Sequence, residues 1–312
     1  MKKVFLSMLA LVAVFLLASC GKSDNRKHIG ISIPSADHGW TGGVVYWAEQ
    51  AKKLHPEYQI SVVAAKDAAE QNNQIENLLA QGLDALVVLP HEPSPLTAIC
   101  ERVAKQGVYL VVVDRNLDKP VQSLSVVGDN PGFGRAGAEA LVKAIGGQGK
   151  VVVMEGVLCQ VNTDRVEAFK KVMAQNPGIT VLDSQPTDWN TEKALKLMEN
   201  YLQKYPQIDA VWAGDDDVLV GALKAYQESG RKDVRAFIGG GGSKTIVKRV
   251  MDKDPLIPFD VTYPPRMILN GVENAIKGLK GEIPEGQKTV VVPAETISPE
   301  NAKDFYYPDS VY

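Results

Sequence analysis

Cysteine is scarce in this chain. Three occur in 312 residues, at positions 20, 100 and 159, and residues so far apart give no basis for a disulfide framework. The four histidines, His28, His38, His55 and His91, show no metal-ligand spacing, and no D-x-[DN]-x-[DN]-G string offers a calcium loop. No Ser or Cys is evident as a nucleophile partner for His38, which counts against a hydrolase. The string GGGGSKT at 239–245 fails the phosphate-loop pattern, because Ser243 stands where Gly must precede Lys244. Gly132-Phe133-Gly134 lacks the rest of a dinucleotide fingerprint. Positive charge is not in excess either: 34 Lys and Arg against 37 Asp and Glu leave a net charge of −3, which argues against a nucleic-acid partner. No cofactor and no metal are expected.

What is present begins at the N-terminus. Lys2 and Lys3 precede an apolar run from about Val4 to Leu17. The run is short for a membrane-spanning helix and has the flanks of a signal-peptide core. It ends Leu17-Ala18-Ser19-Cys20-Gly21, which resembles the lipobox of bacterial lipoproteins. That resemblance implies a signal peptide over 1–19 and acylation of Cys20. Two acyl chains there would anchor the protein stably where one would not. The polar stretch 21–27 suits a flexible tether. Cleavage would remove both lysines and take the formal charge from −3 to −5. The roughly 290 residues that remain exceed a comfortable single core, so two lobes are expected.

From residue 28 short apolar runs alternate with amphipathic segments. Strands are predicted at 29–33, 60–64, 85–89, 108–113 and 124–127, with helices at 41–54, 68–81 and about 95–105 between them. The rhythm repeats with strands at 151–154, 180–182, 210–213, 236–238 and 258–261, and helices at 132–144, 163–175, 191–205, 217–229 and 243–251. Nearly continuous apolar runs are what strands buried on both faces require. Their alternation with helices indicates parallel βαβ units, hence an α/β fold of two doubly wound, Rossmann-like lobes with a ligand cleft between them. Ligands in such sheets bind beyond the carboxyl ends of the strands. Those ends carry Ser35-Ala36-Asp37-His38-Gly39-Trp40, Asp114-Arg115-Asn116, Asp164-Arg165, Thr187-Asp188-Trp189-Asn190, Gly214-Asp215-Asp216-Asp217 and the turn Gly239 to Gly242. Carboxylate and guanidinium groups supply directed, charge-assisted bonds to vicinal hydroxyls, and aromatic faces suit the C–H face of a sugar ring.

Taken in order, VVVDRN (111–116), VVGDNPGFG (126–134), DRVEAF (164–169), QPTDWN (185–190) and AVWAGDDDVLVGAL (210–223) resemble the ribose-type family of type I periplasmic binding proteins, over essentially all of 28–290. The resemblance implies ligand-binding roles residue by residue. Trp40 and Trp189 would stack on opposite ring faces, and Asp37 would bond a hydroxyl. Asp114 and Arg115 would grip hydroxyls from one lobe, Arg165 and Asp215 from the other. Gly241 lies in the turn where the family commonly carries a carboxylate; bare glycines there let backbone amides approach the ligand. A Gln common in the family is replaced within Val261-Thr262-Tyr263-Pro264. Trp47 and Trp212 are expected in the core. Asp216 and Asp217 read as helix-start residues favoured by the cap and dipole.

The resemblance further implies lobes over 28–128 plus 263–291 and 129–262 plus 292–312. Hinges would fall near Gly128-Asp129, Thr262-Tyr263 and Val290–Val292. Cys100 and Cys159 fall in different lobes and are expected to be unpaired. The implied function is that of a monomeric, lipid-anchored solute-binding protein outside the cytoplasm. It would bind a monosaccharide or polyol without chemistry and pass it to the permease of an ABC importer. The same fold would serve a sugar or autoinducer co-receptor for a membrane sensor kinase or chemoreceptor. A LacI-type repressor would need a helix-turn-helix where the signal peptide stands.

Overall fold

Runs such as ALVV and YLVVV have an apolar residue at nearly every position, so they can be satisfied only between two helical layers. A computed structural model describes residues 25–36 and 38–312; Cys20 and Asp37 lie outside them. The chain runs β1 (His28–Pro34), α1 (Gly39–Leu54), β2 (Gln59–Ala65), α2 (Ala68–Ala80), β3 (Ala85–Val88), α3 (Pro93–Lys105), β4 (Tyr109–Val113) and β5 (Leu124–Gly128). It continues through α4 (Asn130–Ile145), β6 (Gly149–Glu155), α5 (Gln160–Ala174), β7 (Ile179–Pro186), α6 (Thr191–Lys204), β8 (Ala210–Ala213), α7 (Asp216–Ser229), β9 (Ala236–Ile238) and α8 (Lys244–Met251). The last elements are β10 (Asp260–Val261), α9 (Met267–Leu279), β11 (Thr289–Val292), β12 (Thr296–Ile297) and a 3-10 turn, Ala302–Phe305.

Two parallel sheets result. One has the order β11-β5-β4-β3-β1-β2, the other β7-β6-β8-β9, and β10 pairs with β12 as a short antiparallel ribbon. In each sheet the strand order reverses about one strand: β1 lies between β2 and β3, and β6 between β7 and β8. Such switch points open a crevice at the carboxyl edge. The chain leaves the six-stranded sheet after Gly128, returns beyond Val261 as α9 against β3, β4 and β5, and leaves again after Val292. The α/β architecture and the parallel sheets agree with the sequence.

The differences are local. The helix expected from Thr41 begins at Gly39, and the strand expected at 180–182 runs on to Pro186. The strand expected at 258–261 shrinks to two residues that pair antiparallel. The pattern predicts no elements past Val261, yet α9 and β11 complete the first lobe's layers. Gly271 is the reason α9 fits: a Cβ there would stand 2.7 Å from Val113 and 2.8 Å from Val87. Cys100 is buried and Cys159 half-buried, and both are free thiols. Burial pushes the Cys100 thiol up to about 12, so it is inert at neutral pH.

One close helix contact positions the site. A Cβ on Gly134 of α4 would lie 1.9 Å from the carbonyl oxygen of Arg165 in α5. The obstacle is backbone, so it cannot rotate away. Gly134→Ala is expected to push α4 and α5 apart and to cost about 2–3 kcal/mol, as overpacking does. Urea unfolding checks this; an unchanged midpoint would show that the two helices do not meet so closely.

Candidate ligand-binding site

The carboxyl end of β4 is held in a rare conformation. Asp114 has φ 64°, and the Arg115 amide donates to the Val113 carbonyl across it at 2.8 Å. This is a γ-turn of the strained, positive-φ hand. Strain of this kind persists where the surroundings over-determine it, and it concentrates at functional sites. The turn aims the Asp114 carboxylate inward, its side chain 8% exposed. The Tyr263 hydroxyl donates to Asp114 Oδ1 at 2.5 Å, and Arg115 Nε lies 3.8 Å from Oδ2. Arg115 is steadied by donating Nη1 to the carbonyls of His91 (2.7 Å) and Pro90 (3.2 Å), beyond β3. Trp40, in the first turn of α1, is buried and donates Nε1 to the Tyr263 carbonyl at 2.8 Å.

The second sheet brings its own groups to the same place. Arg165 on α5 is buried; its Nε donates to Asn130 Oδ1 (2.9 Å) and its Nη1 to the Gly214 carbonyl (2.8 Å). The guanidinium lies 4.1 Å from the Phe133 ring centroid and 4.2 Å from that of Tyr263. Trp189 follows β7 in a turn where both it and Asp188 have positive φ, 52° and 55°. Its ring lies on Gly156, beyond β6, where a Cβ would stand 2.0 Å from Nε1. That buried N–H has no partner among the described residues.

Three successive aspartates open α7. Asp215 caps it, accepting from the Val218 amide at 2.8 Å. Burial, then the nearby Asp217 charge, push the Asp215 carboxyl up to about 7. Asp216 turns the other way and accepts from the amides of Gly240 (3.0 Å) and Ser243 (2.7 Å), so it builds the glycine turn rather than merely starting a helix. Burial holds it at about 6. Asp260 is fully buried beside it, and burial followed by the Asp216 charge raises its carboxyl well above the usual range. No N–H or O–H from other described residues reaches Asp260 in hydrogen-bond geometry. Burial without a bonded cation disfavours its charged form. Asp217 spans the sheets, accepting from the Gly39 amide at 3.1 Å.

Of the residues predicted from sequence, Asp114, Arg115, Trp40, Arg165 and Asp215 meet where the two carboxyl edges face each other, with Trp189 at the end of β7. Gly241 joins them from the glycine turn, at φ 137° and bridged to Thr262. Trp212 is wholly buried and packs on Phe169, as expected, whereas Trp47 is half-buried and packs edge-on against Tyr307. The residue missed is Tyr263. It lies where the sequence departs from the family's Gln, and it ties Trp40, Asp114 and Arg165 together. Its ring covers Gly128, where a Cβ would meet it at 2.1 Å, and burial and the Asp114 charge raise its hydroxyl pKa. Asn130 and Phe133 lay within the VVGDNPGFG string but were not singled out. A cavity of about 180 Å³ lined by Trp47, Thr262, Arg266, Tyr307 and Tyr312 shares only Gly241 with the predicted set. Among the described residues no group of three or more His, Cys, Asp or Glu is placed to hold a metal ion, and no helix is long and apolar enough to cross a membrane.

A model of the periplasmic binding protein domain matches residues 29–282. The chain belongs to this family. The likeness is of the ribose type: a ribose import binding protein of Bacillus subtilis (strain 168) is 30% identical over 266 residues, 81% of this chain and 86% of that protein. A xylitol-binding protein of Mycolicibacterium smegmatis is 29% identical over 225 residues, 70% of this chain and 64% of its own length. An ABC transporter solute binding protein from Bacillus halodurans with bound myo-inositol has the same fold, at TM-score 0.78 and 23% identity, covering 91% of this chain and 99% of that one. This periplasmic binding protein is a solute binder that works outside the cytoplasm, and it is not an enzyme.

Proposed function

We propose that this periplasmic binding protein captures a monosaccharide or polyol between its two lobes and delivers it to the permease of an ABC importer, tethered to the membrane through an acylated Cys20. One observation carries this reading. A carboxylate and an indole from one carboxyl edge, Asp114 and Trp40, meet a guanidinium from the other, Arg165, at Tyr263, and vicinal hydroxyls on a ring or chain need that mixture. Ribose, xylitol and myo-inositol, named for the relatives above, share such hydroxyls. Asp114, Arg115 and Trp40 act from the lobe of 28–128 plus 263–291. Arg165, Trp189, Asp215 and Gly241 act from that of 129–262 plus 292–312, and Asp37 adds a hydroxyl contact beside Trp40. Both halves come from one chain, so a monomer suffices. A ligand touching both lobes binds the closed arrangement better than the open one, and that difference drives closure about the three crossings.

Trp189→Ala and Arg115→Ala are each expected to weaken binding tenfold or more while the protein stays folded. Titration calorimetry against pentoses, hexoses and polyols reads this directly. Unchanged affinity in both variants would remove these residues from the site. Binding of none of these compounds by the wild type would sink the reading itself.

A further inference from the structure

The chain beyond the 3-10 turn returns across both lobes. Lys244, at the start of α8 in the second lobe, donates Nζ to the carbonyls of Ser310 (2.6 Å) and Pro308 (3.2 Å). Tyr307 meets Trp47 of α1 in the first lobe edge to face, with centroids 5.3 Å apart. The segment ends with Tyr312, which is 7% exposed.

Three glycines lie against that one side chain, two of them shared with Asp217 and Pro265. A Cβ on Gly39 would stand 2.9 Å from Tyr312 Cδ2, and one on Gly43 3.0 Å from its Cβ. One on Gly241 would stand 2.1 Å from its hydroxyl oxygen. Gly39 and Gly43 belong to α1 and Gly241 to the turn after β9, so the ring is wedged between the lobes. The hydroxyl occupies the place where a side chain at 241 would begin. It is buried and has no hydrogen-bond partner among the described residues. The carboxyl groups of Asp215, Asp216, Asp217 and Asp260 all lie near enough to act on it. A buried hydroxyl left unpaired costs roughly 1–3 kcal/mol, an outlay that makes sense where a ligand completes the bond.

We infer that Tyr312 is a specificity-determining residue of the cleft: its hydroxyl supplies, from the segment 306–312, the polar group that the bare turn at 239–242 lacks. The idea rests on the sugar- or polyol-binding reading above. A phenol differs from a carboxylate at this place in two ways. It brings no charge, and it donates one hydrogen bond where a carboxylate only accepts. A ligand hydroxyl here therefore meets a neutral donor carried on a ring that also touches α1. The segment couples ligand contact to the relation between the lobes.

The test compares wild type, Tyr312→Phe and Trp189→Ala by calorimetry against ribose, allose, xylitol, glycerol and myo-inositol, with thermal melting of each ligand-free protein. Tyr312→Phe keeps the wedge and removes only the hydroxyl. It is expected to weaken binding of the preferred compound at least tenfold, or to reorder the preference among the five. Its ligand-free melting temperature should be equal to or above that of the wild type, since no bond is lost. Unchanged affinity and order in Tyr312→Phe, with loss in Trp189→Ala, would overturn the role of Tyr312 and leave the site standing. A lower ligand-free melting temperature would also overturn it, because the hydroxyl would then be bonded within the protein. If the wild type binds none of the five, the underlying reading fails and this inference falls with it.

Discussion

Arg165→Ala is expected to cost about 4 kcal/mol of stability and to abolish measurable ligand binding. The side chain is 4% exposed, so its bonds are made away from water. Loss of the guanidinium strands the Gly214 carbonyl and the Asn130 amide oxygen in the same buried space. Hydrogen bonds to a charged group contribute roughly 1.5–3 kcal/mol each, and a desolvated cation against aromatic rings adds about 1–2 kcal/mol. Two such bonds and two ring contacts exceed 4 kcal/mol in sum, and partial collapse of the site returns some of it. Arg165→Lys separates charge from shape: a single ammonium cannot reach Asn130 and Gly214 together while lying against Phe133 and Tyr263. It is expected to keep part of the stability and little of the affinity. Urea unfolding and calorimetry on both variants check this. An Arg165→Ala protein with a wild-type midpoint would show that the guanidinium is solvated rather than locked between helices.

Stability should fall as pH rises from about 5 to about 8, the reverse of what paired surface carboxylates produce. Asp215, Asp216 and Asp260 all have folded pKa values raised above the 3.8 of a free Asp, to about 7, about 6 and well above the usual range. Between the free and the folded values the native state holds more protons than the unfolded chain. The stabilisation is complete below about pH 4 and is lost as pH rises through the folded values. A shift of about three units corresponds to roughly 4 kcal/mol. Asp216 and Asp260 titrate as one interacting pair, so the cluster as a whole loses an amount of that order rather than a multiple of it. Asp183 works oppositely. Its bond from Lys204 lowers its carboxyl to about 2, so its contribution is lost only as pH falls from about 4 towards 2. Maximal stability is therefore expected near pH 4–5. Asp260→Asn should flatten the alkaline limb, because the amide fills the same buried place but does not titrate. Urea midpoints at about pH 5 and about pH 8 decide it: equal values for the wild type would mean that the three carboxyls are ionised in the native state.

Much of the site was legible because strand ends declare themselves. Asp114-Arg115 follows VVV, and Asp215 follows a four-residue apolar strand, so direction along the chain alone places both at a carboxyl edge. The reach of Asp217 to the other lobe is not legible in the sequence. Reading Asp216 and Asp217 together as helix-start residues treats those two as equivalent, whereas the first turn of α7 sends Asp216 to the Gly240 and Ser243 amides and Asp217 to the Gly39 amide of the other lobe. From the sequence, Tyr263 stands out only as the place of a replaced Gln. Its role depends on Gly128, Trp40 and Arg165, which lie far from it in sequence and close in space.

The sequence by itself determined the α/β layering, the parallel sheets and the family, because apolar period and strand-end polarity are local properties that survive any arrangement of the lobes. Only the tertiary structure decided which groups share the cleft. Gly39, Gly43 and Gly241 look like three unrelated flexible positions along the chain. Folded, all three lie against Tyr312, with Asp217 also pressing on Gly39 and Pro265 on Gly43. A glycine's reason lies in the atom that a Cβ would strike, and that atom belongs to a distant residue.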